Sequence, residues 1–286
     1  MIKCIAIDMD GTLLNSNQEV TEENKQAIKK AQSQGVEVVI ATGRSYHEAS
    51  FVLNEAGLVC PIICVNGAEA RSVEGDVLKA NALSKQQAKE TATVLKEKGV
   101  YFEVYTNQGK YTEDVEMGIT IIVDIYKSAN PEVEVKDIRK KAEELYYKGF
   151  VHKVDSYEAL FEIEEQQIYK LLAFSFDKEK LDDARQVLKT MDGLAVSSSG
   201  YDNIELTSVY AQKGVALEAF INEKGITFAE TMAIGDNYND LSMFQKVGRA
   251  VAMGNASEDI KAQCHEVTLR NNDSGVGKAI MKALEE

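Results

Sequence analysis

The chain has 286 residues, enough for one large domain or two of ordinary size. Asp and Glu total 46 against 32 Lys and Arg, a formal net charge of -14, which argues against nucleic-acid or anionic-membrane binding. With 44% hydrophobic and 27% charged residues and only two prolines, Pro61 and Pro131, a folded globular protein is expected rather than a disordered one.

The first apolar run, residues 2–7, is broken only by Lys3 and predicts a short strand buried on both faces. Thr21 is placed to cap a helix with Glu22 and Glu23 in its first turn. Ala27, Ile28 and Ala31 supply its apolar stripe, and Gly35 its end. Residues 36–41 predict a second buried strand with a helix starting at Thr42, and residues 61–65 a third strand ending at Asn66-Gly67. This alternation is the signature of a parallel α/β sheet.

The middle of the chain reads differently. Ser84 opens a helix with Gln87 in capping-box position and Gly99 at its end. Residues 101–105 and 109–112 alternate like a hairpin. A helix over 135–147, a strand over 169–176, a helix over 179–191 and strands over 194–198 and 204–207 follow. The α/β alternation then returns. A helix over 212–223 closes at Gly225, and a strand over 231–234 ends at Gly235-Asp236. Helices over 241–246 and 257–263 and strands over 249–253 and 266–269 complete the chain. The expected architecture is a doubly wound parallel-sheet core, residues 1–82 and 208–286, with an α+β domain, residues 83–207, inserted into it.

No apolar run approaches the ~20 residues that span a bilayer. The N-terminus reaches Asp8 too early for a signal peptide, so a cytoplasmic protein is expected. Cys4, Cys60, Cys64 and Cys264 form no C-x-x-C pair and read as buried free thiols. With only His47, His152 and His265, widely separated, any metal would be held by oxygen ligands, as magnesium is.

The chemistry concentrates at Asp8-Met9-Asp10-Gly11-Thr12-Leu13, where two carboxylates follow the first strand. Their mutual repulsion calls for a cation, a hydrogen-bond cage or a raised pKa. Asp and Gly are also ordinary turn residues, so this stretch alone decides nothing. Thr42-Gly43-Arg44 after the second strand, Lys213-Gly214 opening a helix and Gly235-Asp236-Asn237-Tyr238-Asn239-Asp240 after a further strand change that. All four fall at one predicted edge of one sheet, where open α/β folds bind their ligands.

These segments, together with Asn66-Gly67-Ala68, Met253-Gly254-Asn255-Ala256 and Ser274-Gly275-Val276, resemble the haloacid dehalogenase-like hydrolase superfamily in its Cof-type branch, subfamily IIB. The resemblance covers both halves of the core. It implies a Rossmann-like core with a mobile C2B-type cap and magnesium-dependent hydrolysis of phosphate esters. By motif, Asp8 is the implied nucleophile and Asp10 the general acid and base. Asp8, Asp10 through its carbonyl, Asp236 and Asn237 are the implied magnesium ligands. Met9, Thr42, Gly43, Lys213 and Asn239 would bind the phosphoryl group, with Asp240 orienting the lysine or a metal-bound water. Arg44 and Asn66, with His47 and Lys170, are candidate substrate contacts. Most family sequences carry a small residue where this chain has Asn237, and the segment before Lys213 lacks the proline of the commoner version.

The implied substrate is a small phosphorylated metabolite: a sugar phosphate, flavin mononucleotide or the phosphorylated ribitylaminouracil precursor of riboflavin. Neither nucleic acid nor a membrane is an expected partner, and oligomeric state is not readable. A phosphomutase using the same aspartyl-phosphate and a sensor that binds without turnover stay open. A P-loop is absent, and Gly275-Val276-Gly277-Lys278 lacks the third glycine of a dinucleotide fingerprint. The rings of Tyr101, Phe102, Tyr105, Tyr111, Tyr126, Tyr146 and Tyr147 are expected mainly in the core of the inserted domain.

Overall fold

The computed structural model describes residues 1–129, 132–147, 151–198 and 202–286. They form two compact units, Met1–Asn81 with Tyr210–Glu286, and Ala82–Val209. The first unit opens with strand β1 (Cys4–Ile7), buried throughout. Helix α1 (Glu22–Ser33) starts where Thr21 accepts a hydrogen bond from the Asn24 amide. Gly35, at φ 79°, turns the chain into β2 (Glu37–Ala41).

The helix expected at Thr42 begins later, as α2 (Tyr46–Glu55). Ser45 and Glu48 cap each other's backbone there, whereas the Thr42 hydroxyl accepts from the Arg44 amide at 3.1 Å and holds a non-helical turn. After β3 (Ile62–Cys64) come two antiparallel strands with no counterpart in the expectations, β4 (Glu69–Arg71) and β5 (Val77–Ala80). Both are short, and β5 is at least partly exposed throughout, so neither carries the apolar alternation that marks a strand in sequence.

The second unit begins with α3 (Lys85–Glu97), held by the Ser84–Gln87 capping box, and the hairpin of β6 (Tyr101–Thr106) and β7 (Gly109–Thr112). Helices α4 (Val115–Ala129) and α5 (Val135–Tyr147), strand β8 (Val151–Lys153), helix α6 (Tyr157–Glu162) and strand β9 (Ile168–Phe174) follow. Helix α7 (Lys178–Leu188) and strands β10 (Leu194–Ser197) and β11 (Asn203–Ser208) complete it. Its six strands run in the order β10-β11-β9-β6-β7-β8. Phe102, Val104, Leu171 and Leu206 pack with Leu95 of α3, Phe161 of α6 and Leu181 of α7 in one apolar layer. Phe102 stacks on Tyr157 at 4.5 Å and Tyr105 is buried, as expected of rings at strand spacing, while Tyr126 of α4 stays exposed. The Tyr147 side chain lies outside the described residues. Helices α4 and α6 were not anticipated, although Asp114 does cap the Met117 amide at the start of α4.

The chain then returns to the first unit through α8 (Lys213–Glu223), β12 (Thr231–Gly235) and α9 (Leu241–Phe244). Strand β13 (Arg249–Ala252), helix α10 (Glu258–Lys261), strand β14 (Glu266–Val267) and helix α11 (Gly275–Glu285) end it. The eight-stranded sheet runs β14-β13-β12-β1-β2-β3-β4-β5, parallel as far as β3. The parallel part is a doubly wound Rossmann-like sheet, because the chain grows outward from β1 to one side and from β12 to the other. The crevice at that reversal lies beyond the carboxyl ends of β1 and β12. Alternate residues of these strands are buried on both faces, which explains their isoleucine- and valine-rich runs. Gly275-Val276-Gly277-Lys278 opens α11, which packs on α1, and the Gly277 amide donates to buried Asn24 Oδ1 at 2.7 Å. Gly277 serves close packing on α1, and Gly275 lets the helix start close to the Leu269 carbonyl. Among the described residues no helix is long and apolar enough to cross a membrane.

Candidate active site

Asp8 stands one residue beyond β1, its amide still bonded to Ile234 O of β12 at 2.9 Å and its side chain almost wholly buried. The chain then makes a tight turn over Met9–Leu13. Gly11 sits there at φ 77°, where a Cβ would lie 2.5 Å from Asp236 Oδ2. Only glycine lets this loop close on the carboxylate that follows β12. Thr12, buried in the same turn, donates from Oγ1 to Asp236 Oδ1 at 3.0 Å. The backbone therefore brings Asp8 and Asp236 together from opposite ends of the sequence.

Lys213, the first residue of α8, is fully buried and donates to Asp8 Oδ1 at 2.6 Å and to Asp240 Oδ1 at 2.7 Å. Burial alone would lower the ammonium's pKa, but Asp240 and Asp8 outweigh it and hold the lysine more firmly protonated than usual. Asp240 is committed on both oxygens, since Oδ2 accepts from the amides of Asp236 at 3.0 Å and Asn237 at 3.1 Å. It fixes the lysine and the Asp236 loop together. Asp8 and Asp236 titrate upward from the ordinary carboxylate range, in both cases mainly through burial.

The third strand end supplies a different set. Thr42 is buried, and Gly43 approaches Asn66, whose Oδ1 would lie 3.2 Å from a Cβ at that position. Asn66 Oδ1 also accepts from Asn239 Nδ2 at 3.1 Å. The two asparagines thus link the β3 end to the β12 end. Arg44 forks onto Asp10, Nε to Oδ2 at 2.9 Å and Nη2 to Oδ1 at 2.5 Å, and Nη2 also donates to Gln18 Oε1. Burial would lower the Arg44 pKa, but the Asp10 hydrogen bond and charge raise it on balance. Asn237 is exposed and its Oδ1 caps the Tyr238 amide at 2.8 Å. His47 is exposed on α2, and Lys170 is buried in the second unit, 3.4 Å from Glu205.

One carboxylate oxygen from each of Asp8, Asp236 and Asp240 lies within 4.8 Å of the others. One ammonium stands among three acidic groups, leaving two formal negative charges in excess in a largely buried space. A hard divalent cation fits that deficit and the all-oxygen donor set. Both Asp240 oxygens already accept hydrogen bonds, so Asp8 and Asp236 are the carboxylates suited to hold it.

A family description, haloacid dehalogenase-like hydrolase, matches residues 5–280. The chain belongs to this family. It is 37% identical over 277 residues to phosphatase YwpJ of Bacillus subtilis, covering 96% of this chain and 97% of that protein. It is equally 37% identical over 284 residues to the B. subtilis 5-amino-6-(5-phospho-D-ribitylamino)uracil phosphatase YwtE, covering 99% and 98%. A solved haloacid dehalogenase-like hydrolase from B. subtilis superposes with a TM-score of 0.84 at 37% identity, over 98% of this chain and 99% of that one. This haloacid dehalogenase-like hydrolase is thus an enzyme among phosphatases, with the α/β core and inserted α+β unit of its relatives.

Three residues that the sequence reading did not single out as site residues belong to this constellation. Thr12 orients Asp236, Asn255 donates to Gly11 O at 2.8 Å, and Gln18 touches Arg44. Thr12 was visible as part of the first motif. Asn255 lies in the Met253-Gly254-Asn255-Ala256 motif but was given no role there, and Gln18 carries no sequence signal, because folding brings Arg44 to it from a separate segment.

Proposed function

We propose that this hydrolase is a magnesium-dependent phosphatase of small phosphorylated metabolites that works through an aspartyl-phosphate on Asp8. The observation that carries this is the buried Asp8–Lys213–Asp240 chain beside Asp236, at the reversal of the sheet. Magnesium would be held by Asp8, Asp236 and the Asp10 carbonyl, and when bound it neutralises phosphoryl oxygens. Asn237 is better assigned to capping, since its carbonyl already serves the Tyr238 amide.

Asp8 approaching a phosphate is an anion approaching an anion. At 4 Å each such charge pair costs about 4 kcal/mol at an effective dielectric of 20. Lys213 and the amides of Met9 and Gly43, with Thr42 and Asn239, supply hydrogen-bond donors against that repulsion. A carboxylate oxygen of Asp8 forms the new bond to phosphorus as the ester P–O bond breaks. Asp10 gives its proton to the leaving alkoxide. Asp10 then takes a proton from water as that water attacks the phosphorus, releasing inorganic phosphate and restoring the Asp8 carboxylate.

Sugar phosphates and flavin mononucleotide are the substrates the family resemblance implies, and phosphorylated ribitylaminouracil has the added support of a 37%-identical relative named for it. The second unit would be the cap, and the four free cysteines accord with a reducing cytoplasm. The test is phosphate release from a metabolite panel with and without magnesium, beside Asp8→Asn. Magnesium-dependent release that disappears in Asp8→Asn is expected. Release surviving in that variant would overturn the proposal, and interconversion of sugar phosphates without release would replace it with a mutase.

A further inference from the structure

The turn before α1 is built around a residue the mechanism above does not use. Asn15 closes it: Oδ1 accepts from the amides of Asn17 at 2.9 Å and Glu19 at 3.0 Å, and the carbonyl accepts from the Gln18 amide at 3.0 Å. Asn272 Oδ1 ties the turn down from the other side, accepting from the Ser16 amide at 2.8 Å. Leu14 and Val20 pair across its base. This exposed turn is thus fixed at several points, and it leaves Gln18 at φ 63°, in the left-handed region that side chains other than Asn, Asp and Gly seldom adopt. That conformation is the one a three-residue hairpin turn asks of its last residue, here between Asn15 and Glu19, and it fixes where the Gln18 side chain leaves the backbone.

Gln18 is turned onto the site by that backbone. Its Oε1 accepts from Arg44 Nη2, the same nitrogen that bonds Asp10 Oδ1. Arg44 Nε bonds the other Asp10 oxygen, so guanidinium and carboxylate share one plane. A second acceptor on Nη2 fixes that plane to the turn. A neutral amide does so without competing with Asp10 as a charge.

We propose that Gln18 is a positioning residue: through Arg44 it sets the orientation of the Asp10 carboxylate. This rests on the reading of Asp10 as the acid–base group. A proton-transferring carboxylate has to be held within about 0.5 Å of its productive place, and an Arg44 fork with only one neighbour swings more widely.

The experiment compares Gln18→Gly, Arg44→Ala, their double variant and Asp8→Asn with the full-length protein and magnesium. Glycine accepts φ 63° freely, so Gln18→Gly removes the side chain while keeping the turn. Two probes are used, ribose 5-phosphate with a poor alkoxide leaving group and p-nitrophenyl phosphate, whose leaving group needs little protonation. Gln18→Gly is expected to lower kcat/KM for ribose 5-phosphate about tenfold and for p-nitrophenyl phosphate much less, with Tm unchanged or raised. In the Arg44→Ala background the same change is expected to have no further effect. Equal losses on both probes with a lowered Tm, or additive losses in the double variant, would mark a merely structural turn and overturn the inference. Wild-type rates no faster than those of Asp8→Asn would overturn the phosphatase reading itself. A fast wild type matched by Gln18→Gly would overturn this inference alone.

Discussion

At the scale of single residues the site depends on charge balance and on one absent Cβ. Lys213 is the ammonium bonded to both Asp8 and Asp240, and burial keeps water from replacing it. Lys213→Met is expected to lower stability by about 3–5 kcal/mol in urea titration, because it leaves buried carboxylates uncompensated. On the proposed mechanism the same change should cut phosphate release about 100-fold or more, since the proposed donor to the phosphoryl group goes with it. Gly11→Ala acts differently. Its Cβ would meet Asp236 Oδ2 at 2.5 Å on a left-handed backbone, so Asp236 has to move. The magnesium concentration for half-maximal activity should rise about 10- to 100-fold, with far less effect on the activity reached at saturation.

At the scale of elements, close approach between helices positions the lysine. Gly214 follows Lys213 in α8, and a Cβ there would come within 1.8 Å of Ser242 O in α9. Its amide also donates to Ser242 Oγ at 3.0 Å. Gly214→Ala is expected to cost about 3 kcal/mol or more in denaturant and to lose activity with stability, because α8 can carry Lys213 to Asp8 only along this path. Ser45→Ala offers the contrast. It removes one half of a capping box on α2, and a loss of about 1 kcal/mol in urea titration is expected.

At the scale of the whole molecule, the buried thiols make stability depend on alkaline pH. Burial pushes Cys4 and Cys60 up to about 12, and burial with the nearby Glu69 also raises Cys64 well above the usual thiol range. These groups stay protonated in the folded chain at a pH where the unfolded chain has already lost their protons. Their contribution is complete below the unfolded value near 9 and declines as pH rises from there toward 12. Tm should therefore fall between pH 8.5 and 10.5, measured as a scan against pH, and fall less steeply in Cys60→Ala. The native protein should also leave Cys4, Cys60 and Cys64 unmodified by a thiol reagent that labels all four cysteines after unfolding.

What the amino-acid order determined by itself was local or repeated. Buried-strand runs, the caps at Thr21 and Ser84, the stops at Gly35 and Gly99, and acidic residues directly after apolar runs all arise within a few neighbours. These were enough to anticipate a doubly wound sheet with an inserted α+β unit and to point to the carboxylates at its strand ends as a candidate site. Short strands such as β4 and the edge strand β5 escaped, because three or four residues of mixed polarity leave no periodicity to read. So did the helix at Tyr46, displaced by the turn in which the Thr42 hydroxyl accepts from the Arg44 amide. The resemblance already divided the two downstream carboxylates, Asp236 to the metal and Asp240 to the lysine; only the tertiary structure showed the contacts behind that division. Asp236 and Asp240 are four residues apart and alike in sequence, yet one is held by Thr12 and the other is enclosed by Lys213 and two amides. Those partners come from more than two hundred residues away, from the start of α8 or from the loop's own folded shape. Spacing cannot encode such distances; packing the sheet does.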